Sequence, residues 1–255
     1  MSAFSDYAQI YDLLNEGKDY AGEAEFVERL IRDHAPAAKS ILNFGCGTGS
    51  HDLLLAEKGF HTHGVELSSA MLMQAKTRSR TIETVAGNCR FSLGDLREFR
   101  AGETYDVVTA LFHVFSYQTT LEDVVRSLET FRAHMSDSSV AIFDLWHGPA
   151  VQATPPEVRI RRGENQKIKV TRIAEPDHDI DGRVVCVNFT FFVEDKASGS
   201  ISTFREKHPM RYFFPEEIEI MTLNAGMKID ETGAWLSHDK PTVDSWGVYY
   251  ILRAA

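Results

Sequence analysis

From Ile41 to His51 the chain reads ILNFGCGTGSH, a short apolar run broken by glycines at alternate positions, Gly45, Gly47 and Gly49. Around it, from about residue 22 to residue 145, apolar residues alternate between strand-type and helix-type spacing. Strands separated by helices pair in parallel and need helices on both faces of the sheet, so this alternation constrains the fold more than any other feature. The strands are read as Ser40–Phe44, Thr62–Leu67, Cys89–Asp95, Tyr105–Phe112 and Ser139–Trp146.

The helices between them have recognisable faces and starts. Phe26, Val27, Leu30 and Ile31 share one side of a helix over Ala24–Ile31, and a second helix begins at the glycines and runs through Leu53–Lys58. Ser68 or Ser69 can cap a third, whose apolar face is Met71, Leu72 and Ala75. Over Thr119–Met135 the stripe is Leu121, Val124, Leu128, Phe131 and Met135, and Thr119 and Glu122 have capping-box spacing. The expected fold is α/β, with a doubly wound, seven-stranded, mostly parallel sheet.

After Pro149 the pattern changes. Strand-like segments follow one another at Lys167–Glu175, Arg183–Asp195 and Ile201–Phe214, separated by the turn signals DHDIDG and KASGS. They read as an antiparallel accessory sheet, residues 149–214, inserted before the end of a main domain made of residues 1–148 and 215–255. A helix with Pro215 in its first turn and Gly226 as its stop, then two strands, Met227–Trp235 and Trp246–Ala254, complete that domain.

Composition narrows the class of function. The 255 residues carry a net charge of −10, whereas a nucleic-acid surface must neutralise several phosphates. The one basic cluster, Arg159–Arg172, reads as a solvated edge hairpin, so no nucleic-acid partner is expected. Neither a membrane span nor an export signal is visible. Cys46, Cys89 and Cys186 are far apart and odd in number, which fits a reducing cytosol and a cytoplasmic protein. The histidines have no metal-ligand spacing, and no metal is expected.

Glycines between a strand and a helix remove the Cβ atoms that would keep a ligand from the backbone, and the helix start supplies unpaired N–H groups. A dinucleotide site wants G-x-G-x-x-G, but its third glycine position is occupied by Ser50. Glu66 ends the second strand about 20 residues past the glycines, where a carboxylate can accept both hydroxyls of a ribose. Asp95, at the end of the third strand, can take an exocyclic amine while the N–H of Leu96 meets a ring nitrogen. Together these describe a nucleoside cradle.

The series ILNFGCGTGSH, GVELSSAML, GDLREF and YDVVTALFHVFSY resembles the class I S-adenosylmethionine-dependent methyltransferases over roughly residues 20 to 145. The N-terminal IYDLLNEGKDYAGEAE and the accessory sheet extend the likeness over nearly the whole chain, toward N,N-dimethyltransferases of nucleotide-linked amino sugars of the desosamine and mycaminose type. These motifs specify the cofactor much better than the substrate.

The resemblance implies a Rossmann-like fold and S-adenosyl-L-methionine as cofactor, with S-adenosyl-L-homocysteine as product. Gly45, Cys46, Gly47 and Gly49 would face its methionine part, and Leu67, Leu96 and Leu111 would join Glu66 and Asp95 around the nucleoside. Tyr11 and Tyr20 look like lid residues, or packing for the first helix. Asn43 stands at a strand position that is usually acidic, and an uncharged amide there implies weaker cofactor binding.

His113, just past the fourth strand, is the candidate general base, against the alternative of a packed loop histidine. Trp146 and His147 follow the fifth strand, and Arg211 and Tyr212 end the accessory sheet; all four are candidates for contact with substrate. The expected reaction is methylation of an amine or hydroxyl on a nucleotide-linked sugar. Another small-metabolite methyltransferase, a non-catalytic S-adenosylmethionine-binding module and an NAD-dependent dehydrogenase are the alternatives. A homodimer is among the expected assemblies.

Overall fold

The computed structural model describes residues 8–82 and 88–255. The first part of the expected lid segment, residues 1–7, lies outside them. Two helices, α1 (Ala8–Leu14) and α2 (Tyr20–His34), precede the alternating region β1 (Ser40–Phe44), α3 (Ser50–Glu57), β2 (His61–Glu66), α4 (Ser69–Thr81), β3 (Cys89–Leu93), β4 (Tyr105–Ala110), α5 (Leu121–Ala133) and β5 (Met135–His147). The chain then runs through α6 (Gly148–Ala153), β6 (Arg159–Glu164), β7 (Ile168–Asp179), β8 (Val184–Asp195) and β9 (Ile201–Phe213) before α7 (Pro215–Asn224), β10 (Met227–Ala234) and β11 (Gly247–Ala254).

Strands β3-β2-β1-β4-β5 are hydrogen-bonded neighbours in that order and run parallel, while β11 joins β5 antiparallel and β10 pairs with β11. The alternation therefore does give a doubly wound sheet, closed by an antiparallel pair. Side chains of successive residues leave β1 on opposite faces. Leu42 and Phe44 pack with Val124, Leu128 and Phe131 of α5, while Ile41 packs with Phe26, Val27 and Leu30 of α2. Both faces are buried, which is why these strands read as continuous apolar runs.

Strands β6 to β9 form an antiparallel meander, joined to the main sheet where Trp146 and His147 of β5 pair with Tyr212 and Phe213 of β9. Three local expectations change. The N-cap of α5 is Thr120, whose hydroxyl accepts the N–H of Asp123, in place of the Thr119–Glu122 pair. Leu121 of the expected stripe is 55% exposed because it lies at the first helical residue, beside the buried face. Strand β5 starts at Met135, well before Ser139, because Met135 pairs with Tyr105 of β4. Ser68 caps α4 as expected, accepting the Met71 N–H at 3.3 Å.

Candidate active site

The turn between β1 and α3 is bound to the neighbouring strand: the N–H groups of Gly45 and Cys46 donate to the carbonyl of Val65 at 2.8 and 3.2 Å. This curvature needs left-handed backbone at Gly45 and Gly47, with φ of 67° and 57°. A Cβ on Gly45 would stand 2.5 Å from Val114, whereas one on Gly47 would meet nothing within 4 Å and would project into a cavity. Gly49, also at positive φ, faces elsewhere: a Cβ there would meet Phe91 and Ala75, so it serves the packing of α3 against α4.

Glu66 is 8% exposed and is fixed by two N–H donors, Gly47 to Oε2 and Ser68 to Oε1, both at 2.8 Å. Burial raises its pKa, and those backbone donors work against the rise. Asp95 is bound by the Arg97 guanidinium, which holds its pKa below the ordinary value, and Arg97 reaches on to Asp123 at 3.1 Å. Leu67 beside them is 58% exposed, a large apolar side chain on a cavity wall with nothing covering it. An open backbone cradle, an oriented carboxylate and an uncovered apolar face fit a nucleoside bearing a cationic sulfonium.

The cavity has a volume of about 1000 Å³ and extends from this turn to the accessory sheet. Helix α1 roofs it: Thr48 of the turn donates to Asp12 at 2.8 Å, and Arg161 of β6 donates to the Leu14 carbonyl and Asn15 Oδ1 at 3.1 and 2.9 Å. Tyr11 and Tyr20 line it with their hydroxyls 3.4 Å apart. Lys18 sits over the rings of Tyr20 and Phe112 and pairs with Glu23, which also binds His51 at 2.8 Å. Burial alone would raise the Glu23 pKa, but His51 and Lys18 bring it down to about 2.

His113 stands midway, just past β4, with a left-handed φ of 61°. Its Nδ1 lies 2.7 Å from Oδ2 of Asp144 on β5, too far off line for a hydrogen bond, and the same oxygen accepts the His113 N–H at 3.0 Å. Asp144 is fully buried, whereas the imidazole is partly open to the cavity.

Of the residues singled out in the sequence, the cavity gathers Gly45, Cys46, Gly47, Glu66, Leu67, Asp95 and Leu96 at one end. Tyr11, Tyr20, Leu111, His113 and Trp146 line it as well. Five do not line it. Asn43 is 2% exposed below the glycine turn, donating to Asp52 at 2.8 Å and accepting from Thr109 at 2.9 Å. Gly49 faces α4 as described. His147 is buried where β5 meets α6, and burial lowers its pKa.

Arg211 and Tyr212, expected at the substrate, are also corrected. Arg211 turns to Glu217 of α7 at 3.2 Å, and Tyr212 is fully buried against Val151 and Val185. In their place β6 and β7 present Arg159, Arg161 and Arg172 to the cavity, together with Tyr117 and Trp246 from other segments. The alternation of Arg159 and Arg161 was visible in the sequence, but which face met the cavity was not.

A methyltransferase domain model matches residues 41–138. A dTDP-3-amino-3,6-dideoxy-alpha-D-glucopyranose N,N-dimethyltransferase from Streptomyces fradiae is 30% identical over 227 residues, 88% of this chain and 85% of the relative. A dTDP-3-amino-3,4,6-trideoxy-alpha-D-glucopyranose N,N-dimethyltransferase from Streptomyces venezuelae is 29% identical over 231 residues, 88% of this chain and 91% of the relative. Among solved structures, CalS10, an amino pentose methyltransferase from Micromonospora echinaspora with S-adenosylmethionine bound, superposes with a TM-score of 0.75 at 26% identity, covering 100% of this chain and 99% of that one.

Proposed function

The chain belongs to the S-adenosylmethionine-dependent methyltransferases, in the family of the nucleotide-linked amino-sugar N,N-dimethyltransferases, and on that premise we propose that its acceptor is the amino group of a sugar carried on a nucleoside diphosphate. It is an enzyme of methyl transfer to small molecules, and its cofactor is S-adenosylmethionine. The observation that carries the acceptor reading is the continuity of one cavity of about 1000 Å³ from Glu66 to the accessory sheet. Its volume stands at the top of the ~300–1,000 Å³ range of small-molecule sites, and its lining reaches from Glu66 at the glycine turn to Arg159 and Arg172 of the accessory sheet.

When bound, S-adenosylmethionine supplies a methyl group on a sulfonium, open to in-line attack by a lone pair. Glu66 would accept from the ribose, Asp95 from the adenine amine, and Leu67 and Leu96 would cover the ring; Gly45, Cys46 and Gly47 would lie along the methionine part. Tyr11 of α1 and Tyr20, at the start of α2, close the roof. His113 takes a proton from the acceptor's ammonium, leaving the neutral amine with its lone pair, and buried Asp144 fixes the histidine's place by accepting its backbone N–H. Trp146 and the accessory sheet, residues 149–214, form the acceptor wall. Alignment of the reacting groups is the protein's largest contribution, ~7–11 kcal/mol in favourable cases.

No helix among the described residues is long and apolar enough to cross a membrane. We propose a cytoplasmic enzyme without a nucleic-acid partner, and a homodimer that light scattering would check. The deciding experiment is incubation with S-adenosylmethionine and a panel of dTDP-linked amino and deoxy sugars, read by mass spectrometry. The expected product is an amino sugar heavier by one or two methylenes. Methylation of a hydroxyl, or of no panel member while S-adenosylhomocysteine still binds, removes the amino-sugar reading.

A further inference from the structure

Phe112 and His113 are consecutive residues at φ of 65° and 61°, both in the left-handed region although neither is glycine. A bulky residue there is an outlier that persists only where its surroundings hold it, and such strain gathers at functional sites. Here the hold is the His113 N–H, which donates to Oδ2 of Asp144 at 3.0 Å.

The ring is seated as closely as the backbone. Gly247 of β11 pairs with Trp146 of β5, and a Cβ on Gly247 would stand 3.3 Å from Cε1 of His113. The Trp146 ring meets the imidazole edge to face, with centroids 6.3 Å apart. Nδ1 is buried against Asp144, 2.7 Å from Oδ2, so the nitrogen left toward the cavity is Nε2.

Asp144 has no exposed surface, and among the described residues no lysine or arginine pairs with it. Its Oδ1 and the Nδ1 of His113 are both buried without a hydrogen-bond partner among the described residues. Buried polar atoms are nearly always hydrogen-bonded, so each exception calls for a physical reason. These two belong to neighbouring groups, one able to donate and one to accept, and a small turn of the ring brings Nδ1–H into line with the carboxylate.

We propose that Asp144 is a positioning residue for methyl transfer: its carboxylate takes the Nδ1–H of His113 and so fixes the tautomer whose Nε2 lone pair faces the acceptor. This rests on the reading of His113 as the general base. The acceptor's ammonium N–H bond breaks with its electron pair left on the amine, the proton bonds to Nε2, and it passes to water before the next turnover. A ring that already carries its proton on Nε2 has no lone pair to offer there.

The test compares wild type, Asp144→Asn, His113→Gln and the double variant, as full chains, on a dTDP-linked amino sugar. Asparagine keeps the shape and an oxygen for the His113 N–H, but its amide donates to Nδ1 and holds the ring proton on Nε2. The expected loss in kcat is about 10²- to 10⁴-fold, with KM and S-adenosylhomocysteine affinity little changed. In the His113→Gln background the same substitution is expected to cost little more, because it acts through the histidine. A second readout is ¹⁵N NMR of histidine-labelled protein loaded with S-adenosylhomocysteine at about pH 8, above the usual imidazole range. The His113 signals, identified by their absence in His113→Gln, are expected to show Nδ1 protonated and Nε2 bare in wild type, and the reverse in Asp144→Asn.

A wild-type ring protonated on Nε2 overturns the proposal, as does wild-type kcat in Asp144→Asn. If His113→Gln still abolishes turnover, the general base then stands without its positioning partner. Full turnover in His113→Gln removes the base itself, and the proposal with it. Where Asp144→Asn does not fold, or no panel sugar is methylated, the wild-type tautomer decides.

Discussion

Asp52 is the group through which pH is expected to act most directly on the stability of the fold. It lies on α3 with no exposed surface; Oδ2 accepts from Asn43, and Oδ1 has no hydrogen-bond partner among the described residues. Burial raises its pKa from 3.8 to about 7, against the lowering by the Asn43 hydrogen bond. In the unfolded chain the carboxyl ionises near 3.8, while in the fold it keeps its proton to about 7. Its contribution to stability is therefore fully present below 3.8 and is lost as pH rises through about 7.

At about 1.4 kcal/mol per pKa unit the whole loss is about 4 kcal/mol, of which about 3 kcal/mol falls between roughly pH 5 and pH 8.5. Asp52→Asn removes the titration and can still accept from Asn43 through its amide oxygen. At about pH 5 the variant is expected to lie within about 1 kcal/mol of wild type, the worth of one altered hydrogen bond. By about pH 8.5 it gains about 3 kcal/mol relative to that baseline. Urea unfolding of both proteins across this range measures the difference, in which every other titrating group cancels. A stability difference that does not change with pH would refute the reasoning.

The remaining predictions concern the cavity and its borders. His113→Ala is expected to lower kcat about 10²- to 10⁴-fold, the usual worth of a general base, with S-adenosylhomocysteine affinity retained. Near-normal turnover at every pH would make the histidine a packed loop residue. Glu66→Ala removes the acceptor held by Gly47 and Ser68, and calorimetry is expected to show S-adenosylhomocysteine binding weakened at least about tenfold. An unchanged Kd would refute it.

Asn43→Asp places a second carboxyl beside Asp52, so the two share a proton and stability falls as pH rises. Cofactor affinity near pH 6 should change little, because Asn43 is not on the cavity wall; a many-fold gain in affinity would return it to the binding site. Arg211→Ala breaks its ion pair with Glu217, which keeps Arg183 at 2.6 Å, so a cost of about 1–3 kcal/mol in urea unfolding is expected with KM unchanged.

Much of the glycine-turn end of the cavity was legible in the sequence because it depends on local order. Parallel strands leave their carboxyl ends on one edge, so Glu66 and Asp95, each at or just past a strand's end, arrive beside the glycine turn whatever happens elsewhere. The positive φ of Gly45 and Gly47 follows from the same turn, and the Ser68 cap from its spacing to Met71.

What needed the tertiary structure was the choice of face and partner. Alternation shows that Arg159 and Arg161 share a side of β6, but only the packing of the accessory sheet under α1 turns that side to the cavity. Arg211 and Tyr212 are neighbours on β9 and point to opposite faces, so at most one could have reached the substrate from the strand; Glu217 takes the first and the core the second. Asn43 reads in the sequence as a missing charge. In the fold that face of β1 meets α3, and the carboxylate beside it is Asp52, nine residues later. Short-range periodicity determines which elements form and which residues share their faces, while contacts between residues distant in the chain decide which face meets the ligand.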